Sequence, residues 1–421
     1  MIRIKQRLEA AMRAFKKESA EASAPAHFHR GDVINYYPNR DELKSDDFLC
    51  RFLLKGWIPE EPVLSKGVKI TAFGSCFAAN ITRHLSSIGF DLSSDRDSGI
   101  YISKMGDAMV NTPSILGQFE WAFENKKPAE HLWHGRQTER YRYDDAVRQR
   151  TRKIFLDTEF FIITLGLSEV WYDAQTGGTF WRGVPEDAFD PERHKFRVLS
   201  TAETKSDIAR MHALIRQYVP QAKLLFTVSP IPLGATFRDV SCITANTVSK
   251  AIIRSALDEF LREHEDELNK TLFYFPSMEL VQFGFTDPWG NDWRHPESYV
   301  LDTVMKVFEA SYCSGGCSMD EAIQTLNLFR EKNLIMVLRK LKRGPENREL
   351  VNAANRVRRQ ATIARQKAKE GQNRVDRKPE EPEHHTAGDV DAKRIARQEE
   401  KRLKRIGLRA REKQARNSDA G

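Results

Sequence analysis

Four short apolar runs, each followed by a helical pattern, constrain this chain more than any other feature. They are VKITAF (68–73), FFIITLG (160–166), KLLFTVSP (223–230) and TLFYFPS (271–277). FFIITLG is apolar throughout and bounded by Gly, as expected of a strand buried on both faces. Helical patterns follow over 77–88, 203–218, 242–266 and 297–310. Such alternation predicts an α/β fold, with a parallel sheet covered by helices on both sides. One segment departs from the scheme. In VWYDAQTGGTFWRG (170–183) two aromatic, β-prone runs flank Thr176-Gly177-Gly178, which predicts an inserted hairpin. Residues 319–343 carry Ile323, Leu326, Phe329, Leu334, Val337, Leu338 and Leu341 mostly at three- and four-residue steps, and Gly344-Pro345 ends that helix.

The chain has 421 residues and a net charge of +8, unevenly placed. From Leu341 to Gly421 stand 23 Lys/Arg and 13 Asp/Glu; subtracted from totals of 67 and 59, these leave 44 basic and 46 acidic residues for 1–340. Beyond Gly344 there is no Phe, Trp, Tyr, Met or Cys, so this segment has little apolar surface to offset its ordering entropy. The expected organisation is an N-terminal segment and linker (1–30), an α/β domain (31–343) and a basic tail (344–421), helical or disordered. KRLKRIGLRAREK (401–413) is a candidate contact for an anionic partner, nucleic acid or lipid; a solvated tail is the simpler reading. Near the N-terminus, Ile4, Leu8, Met12 and Phe15 form one helical stripe. A helix packed on a neighbour explains it; attachment to an anionic membrane surface is the alternative. No signal-peptide pattern and no run of 18 apolar residues occurs, so a cytoplasmic location without a transmembrane segment is expected. The cysteines are Cys50, Cys76, Cys242, Cys313 and Cys317, an odd number that implies no disulfide framework. Cys313 and Cys317 lack a second pair, and His27 and His29 alone do not make a metal site; neither metal nor cofactor is expected.

A nucleophilic serine needs a base, an acid to orient that base, and donors aimed at the developing oxyanion. In an open parallel sheet such groups gather at the carboxyl ends of the strands. Gly74-Ser75-Cys76-Phe77 directly follows the first apolar run and precedes a helix. Ser75 is the candidate nucleophile there, and the Cys76 N–H a candidate oxyanion donor. Ser75 acting only as a helix N-cap is the structural alternative. At the second exit, Gly166 permits close backbone approach, and Ser168 or a neighbouring N–H is placed to complete an oxyanion hole, with Glu169 beside it. A plain strand-exit turn is the alternative there. After the last run comes Asp292-Trp293-Arg294-His295. Asp and His three residues apart share one turn, so the carboxylate can hold one ring nitrogen and leave the other for the serine hydroxyl.

ITAFGSCFAANITRHL (70–85) resembles the opening motif of the GSCFA domain family, whose name spells Gly74, Ser75, Cys76, Phe77 and Ala78 of this chain. TLGLSEVWYD (164–173), TVSPIPLGATFRD (227–239), the Asn246-to-Lys250 stretch and DPWGNDWRH (287–295) are similar to that family too, so the resemblance covers roughly 68–310. The family is grouped with the SGNH/GDSL hydrolases. The resemblance therefore implies a flavodoxin-like three-layer domain, with Ser75 as nucleophile and oxyanion donor, His295 as base and Asp292 as its partner. In those enzymes a Gly after the second strand donates a further N–H; Gly106 is the candidate, and Asn111 is a polar candidate nearby. The G-x-N-D motif of the superfamily maps onto Gly166-Leu167-Ser168-Glu169, with Ser168 where Asn is expected. A hydroxyl reaches less far than an amide, so Ser168, a water or Asn111 must supply that donor. The Asp of the GDS triplet is also replaced, in Gly74-Ser75-Cys76.

The implied chemistry is an O-acyl esterase, or an acyltransferase with the same site, acting on a small acyl ester or acylated carbohydrate through acyl-Ser75. Trp171, Trp181 and Trp293 are candidates for a sugar platform, against ordinary core packing. A Cys76 thiolate is a rival nucleophile. A degenerate binding module with an anion-binding tail is the non-enzymatic reading. Arg238 and Asp239 are candidates to line the pocket, a Glu169–Arg238 ion pair is expected, and His84 is read as structural.

Overall fold

The computed structural model describes residues 34–340, except 91, 93–99, 105–108, 128–131, 135–138, 142–143 and 182. The chain divides into units Met1–Leu341 and Lys342–Gly421, and every described residue belongs to the first. The N-terminal stripe, His27, His29, Gly106 and the basic tail lie outside the described residues.

All four apolar runs are strands: β1 (Ile70–Gly74), β4 (Phe160–Leu165), β7 (Lys223–Val228) and β8 (Leu272–Phe275). They form one parallel sheet in the order β1-β4-β7-β8. Two small antiparallel pairs stand apart, β2 (Leu132–His134) with β3 (Glu139–Tyr141) and β5 (Glu169–Asp173) with β6 (His194–Val198). The helices are α1 (Cys76–Ser87), α2 (Tyr101–Lys104), α3 (Thr112–Glu124), α4 (Asp145–Asp157), α5 (Thr201–Tyr218), α6 (Cys242–Glu263), α7 (Ser277–Gly284), α8 (Ser298–Tyr312) and α9 (Met319–Lys340).

Strand alternation sorts the core into two layers. Phe161, Ile163 and Leu165 of β4 face one way, with Leu224, Phe226 and Val228 of β7, onto α3, α4, α5 and α6. Phe160 and Ile162 face the other way, with Leu225 and Phe273, onto α1, α7, α8 and α9. Every side chain of β4 is buried because each strand face meets a helical layer. Both faces being covered is also why these runs lack the polar alternation of a half-exposed strand.

Three expectations are adjusted. The turn at Thr176-Gly177-Gly178 forms, with Tyr172 bridged to Thr179, but the regular ladder of β5 runs to β6, some 20 residues on. The segment before β4 carries α3 and α4, which the apolar runs did not announce. Asn111-Thr112-Pro113 is the missed start signal: Asn111 Oδ1 accepts from Ser114 N–H at 3.0 Å, and Pro113 sits in the first turn. Finally, Leu326 of α9 is buried but Leu334 is exposed, so the core does not take in every apolar residue of that stripe.

Candidate active site

The carboxyl edge of the sheet is where the chemistry-bearing residues meet. β1 ends at Gly74, whose φ of +133° few L-residues adopt; a Cβ there would stand 2.1 Å from the Thr164 carbonyl oxygen of β4. Only glycine fits, and the sharp exit sets Ser75 at the N-cap of α1. The Ser75 hydroxyl accepts from Phe77 N–H at 3.1 Å. Ser75 thus caps the helix, and it also lines a cavity of about 570 Å³ shared with Asn111, Gly166, Trp171, Trp181, Ser229, Arg294 and His295. The N-cap reading of Ser75 is met, and its hydroxyl stands at the cavity as well. The Cys76 side chain lies outside the described residues; its backbone opens α1.

Asp292 and His295 share one turn of an exposed loop. Asp292 Oδ2 lies 2.5 Å from His295 Nδ1, while Asp292 Oδ1 accepts from the Arg294 and His295 N–H groups at 3.1 and 3.0 Å. The backbone N–H of His295, with its ring and the Arg294 N–H, holds the Asp292 carboxyl far below the usual carboxylate range. The loop is closed by Gly290 N–H donating to the His295 carbonyl at 2.8 Å and by Trp293 at φ 55°. The arrangement leaves Nε2 as the ring nitrogen not facing Asp292. His295 and Ser75 line the same cavity without being hydrogen-bonded to each other.

The exit of β4 is tied down more tightly than its sequence suggests. Gly166 N–H donates to the Val110 carbonyl at 2.7 Å, and a Cβ on Gly166 would stand 2.7 Å from Val110 Cβ. Gly166 therefore lines the cavity with its own N–H already used. Ser168 is fully buried: its N–H donates to Ser249 Oγ at 2.9 Å and its hydroxyl lies 3.3 Å from the same atom. Neither Ser168 nor Glu169 lines the cavity. Asn111, the other polar candidate for that donor, does line it; its Nδ2 donates to the Trp181 carbonyl at 3.4 Å, leaving its second hydrogen uncommitted to that bond. Glu169 is buried with Arg238 Nη1 at 4.0 Å, and Arg238 and Asp239 do not line the cavity, whereas Phe237 does. Of the three tryptophans, Trp171 and Trp181 form its wall and Trp293 is 69% exposed outside it. His84 pairs with Glu309 at 3.0 Å, away from the cavity.

One set of residues, within the Asn246-to-Lys250 stretch noted for its family resemblance, was assigned no role by the sequence. Asn246, Ser249 and Lys250 fall at i, i+3 and i+4 on one face of α6. Asn246 Oδ1 accepts from Leu233 N–H at 3.0 Å, Ser249 holds Ser168, and buried Lys250 donates to the Gly166 and Ser229 carbonyls at 2.7 and 2.8 Å. One helix face thereby fastens the exits of both β4 and β7. The signal was N-x-x-S-K at helical spacing.

No curated protein matches the chain. Among solved structures it is similar to an acetyl xylan esterase from the rumen bacterium Butyrivibrio proteoclasticus, at 13% identity and a TM-score of 0.22, over 51% of this chain and 57% of that one. The chain thus spans little more than half the length of that esterase. A family model described as GSCFA matches residues 69–308, more than half of the sequence, from β1 into α8. With Gly74, Ser75, Cys76, Phe77 and Ala78 standing at the strand–helix junction that builds the cavity, the chain belongs to the GSCFA family.

Proposed function

We propose that the protein is a serine ester hydrolase. One observation carries the reading: a hydroxyl at the N-terminus of α1 and an Asp-oriented imidazole line one cavity at the carboxyl edge of the sheet. Ser75 Oγ attacks the acyl carbon while its proton passes to His295 Nε2. The carbonyl π electrons move to oxygen, and the oxyanion forms near the Cys76 N–H, a first-turn donor without an intrahelical acceptor. The Asn111 amide is the second candidate donor, in the role considered above for Ser168, a water or Asn111. Collapse of the tetrahedral adduct expels the alkoxide, which takes the proton from His295, and acyl-Ser75 remains. Water then gives its proton to His295 as its oxygen attacks the acyl carbon; Ser75 leaves, recovers the proton, and the carboxylic acid departs. Asp292 faces Nδ1 throughout and favours the imidazolium.

The closing of the His295-to-Ser75 gap on substrate binding is part of this reading, since catalytic hydrogen bonds tighten in the bound complex. The test is hydrolysis of p-nitrophenyl acetate, with fluorophosphonate labelling followed by mass spectrometry. Label on Ser75, and turnover falling by at least about 10³-fold in both Ser75→Ala and His295→Ala, are expected. Turnover that survives Ser75→Ala, or label on Cys76, overturns it.

A further inference from the structure

We propose that Arg294 is the specificity residue of this cavity and that the ester it serves carries an oxyanionic group. The inference rests on the ester-hydrolase reading and names the substrate class of the same site. Among the described residues of the lining, Arg294 and His295 are the charged or titratable ones, and none is Asp or Glu. His295 is already tied to Asp292. Arg294 has no such tie: among the described residues it forms no ion pair. Asp292, the nearest carboxylate in sequence, spends one oxygen on two backbone N–H groups and the other on the imidazole. Glu169, the buried carboxylate of the β4 exit, faces Arg238 instead.

The guanidinium lies over Gly234, where a Cβ would stand 3.1 to 3.2 Å from its carbon and both terminal nitrogens. Glycine leaves that space to the arginine. One terminal nitrogen donates to the Pro232 carbonyl at 3.5 Å, a long bond, and Nε is buried with no hydrogen-bond partner. Buried donors are almost always satisfied, so an unsatisfied guanidinium edge in a cavity wall calls for an acceptor that arrives with the ligand. A carboxylate meets the planar fork of Arg with two parallel hydrogen bonds.

The surroundings have the matching sign. α1 and α3 direct their N-termini, at Ser75 and Asn111, toward the cavity. Lys250 sits buried beneath it, on the carbonyls of two lining residues. Trp171, Ile231, Pro232 and Phe237 make the walls apolar, which weakens screening and focuses the field.

Matched ester pairs differing in one charge test this. 4-Acetoxybenzoate against its methyl ester places the carboxylate on the leaving group; p-nitrophenyl hemisuccinate against p-nitrophenyl butyrate places it on the acyl group. The expected result is a preference of at least about tenfold in kcat/KM for the anionic member of one pair, shrinking in 1 M NaCl. In Arg294→Gln that preference disappears, chiefly through KM, and Arg294→Lys restores part of it. Equal kcat/KM within both wild-type pairs overturns the proposal, as does an equal loss on charged and neutral esters in Arg294→Gln. Calorimetric titration with 4-acetamidobenzoate and its methyl ester reads binding without turnover. Arg294-dependent binding of the acid, with no ester hydrolysed, keeps the anion site and removes the hydrolase reading. Hydrolysis without charge preference does the reverse.

Discussion

At the scale of single residues, the site depends on positions that tolerate no alternative. Gly74→Ala adds a methyl against the Thr164 carbonyl in a left-handed backbone. Steric overlap and backbone strain together cost about 3 kcal/mol or more, read as a lower urea midpoint. Lys250→Met leaves the Gly166 and Ser229 carbonyls without that buried donor. We expect a loss of about 2–4 kcal/mol together with reduced ester turnover, because both carbonyls belong to lining residues. A stable Lys250→Met with full turnover would contradict the fastening role. Asp292 is held ionised well into acid, so Asp292→Asn removes the charge at every pH of an ordinary esterase assay. Turnover is expected to fall by at least about 10²-fold, with the fold of the protein unchanged by far-UV circular dichroism.

At the scale of elements, helices α3 and α5 are joined by Thr112 Oγ1 donating to Asp207 Oδ2 at 2.7 Å. Burial raises the Asp207 pKa to about 6, with Glu203 and Glu120 adding to the rise and Thr112 and Arg197 opposing it. A carboxyl with a raised folded pKa binds its proton more tightly folded than unfolded. Stability from this group is therefore greatest below about pH 4 and declines as pH rises to about 6, by on the order of 2 kcal/mol. Asp207→Asn should flatten that part of the curve of melting temperature against pH; an unchanged slope would refute the assignment. Helices α3 and α4 show how element signals differ in strength. The four strands stood out because each is buried on both faces, whereas α3 and α4 follow no such run and carry only end signals, the Asn111 cap with Pro113 for α3 and the Asp144 cap for α4. The β5 turn was readable from Thr176-Gly177-Gly178, but its ladder partner β6 is remote in sequence, and no local pattern names it.

At the scale of the whole molecule, residues 345–421 hold no Phe, Trp, Tyr, Met or Cys to bury, and two core layers and the cavity are already built from described residues of 34–340. Removal of 345–421, the segment carrying most of the excess basic charge, should leave the melting temperature and ester turnover of the rest within experimental error. A large drop in either would show that the site depends on that segment. No helix among the described residues is long and apolar enough to cross a membrane.

What the sequence determined by itself follows from local physics: the burial period of the strands, the glycine that turns β1 into α1, and an Asp and His close enough to share one turn. Those depend on neighbours along the chain. Which polar groups reach the cavity does not. Ser168 looked available by position, yet it faces Ser249 of α6, and Asn111 reaches the cavity because α3 starts beside Trp181. Arg294 and Lys250 likewise gained their surroundings only when distant strand exits closed around them. Where a side chain's hydrogen atoms go is settled by contacts between remote segments, and that is information only the tertiary structure holds.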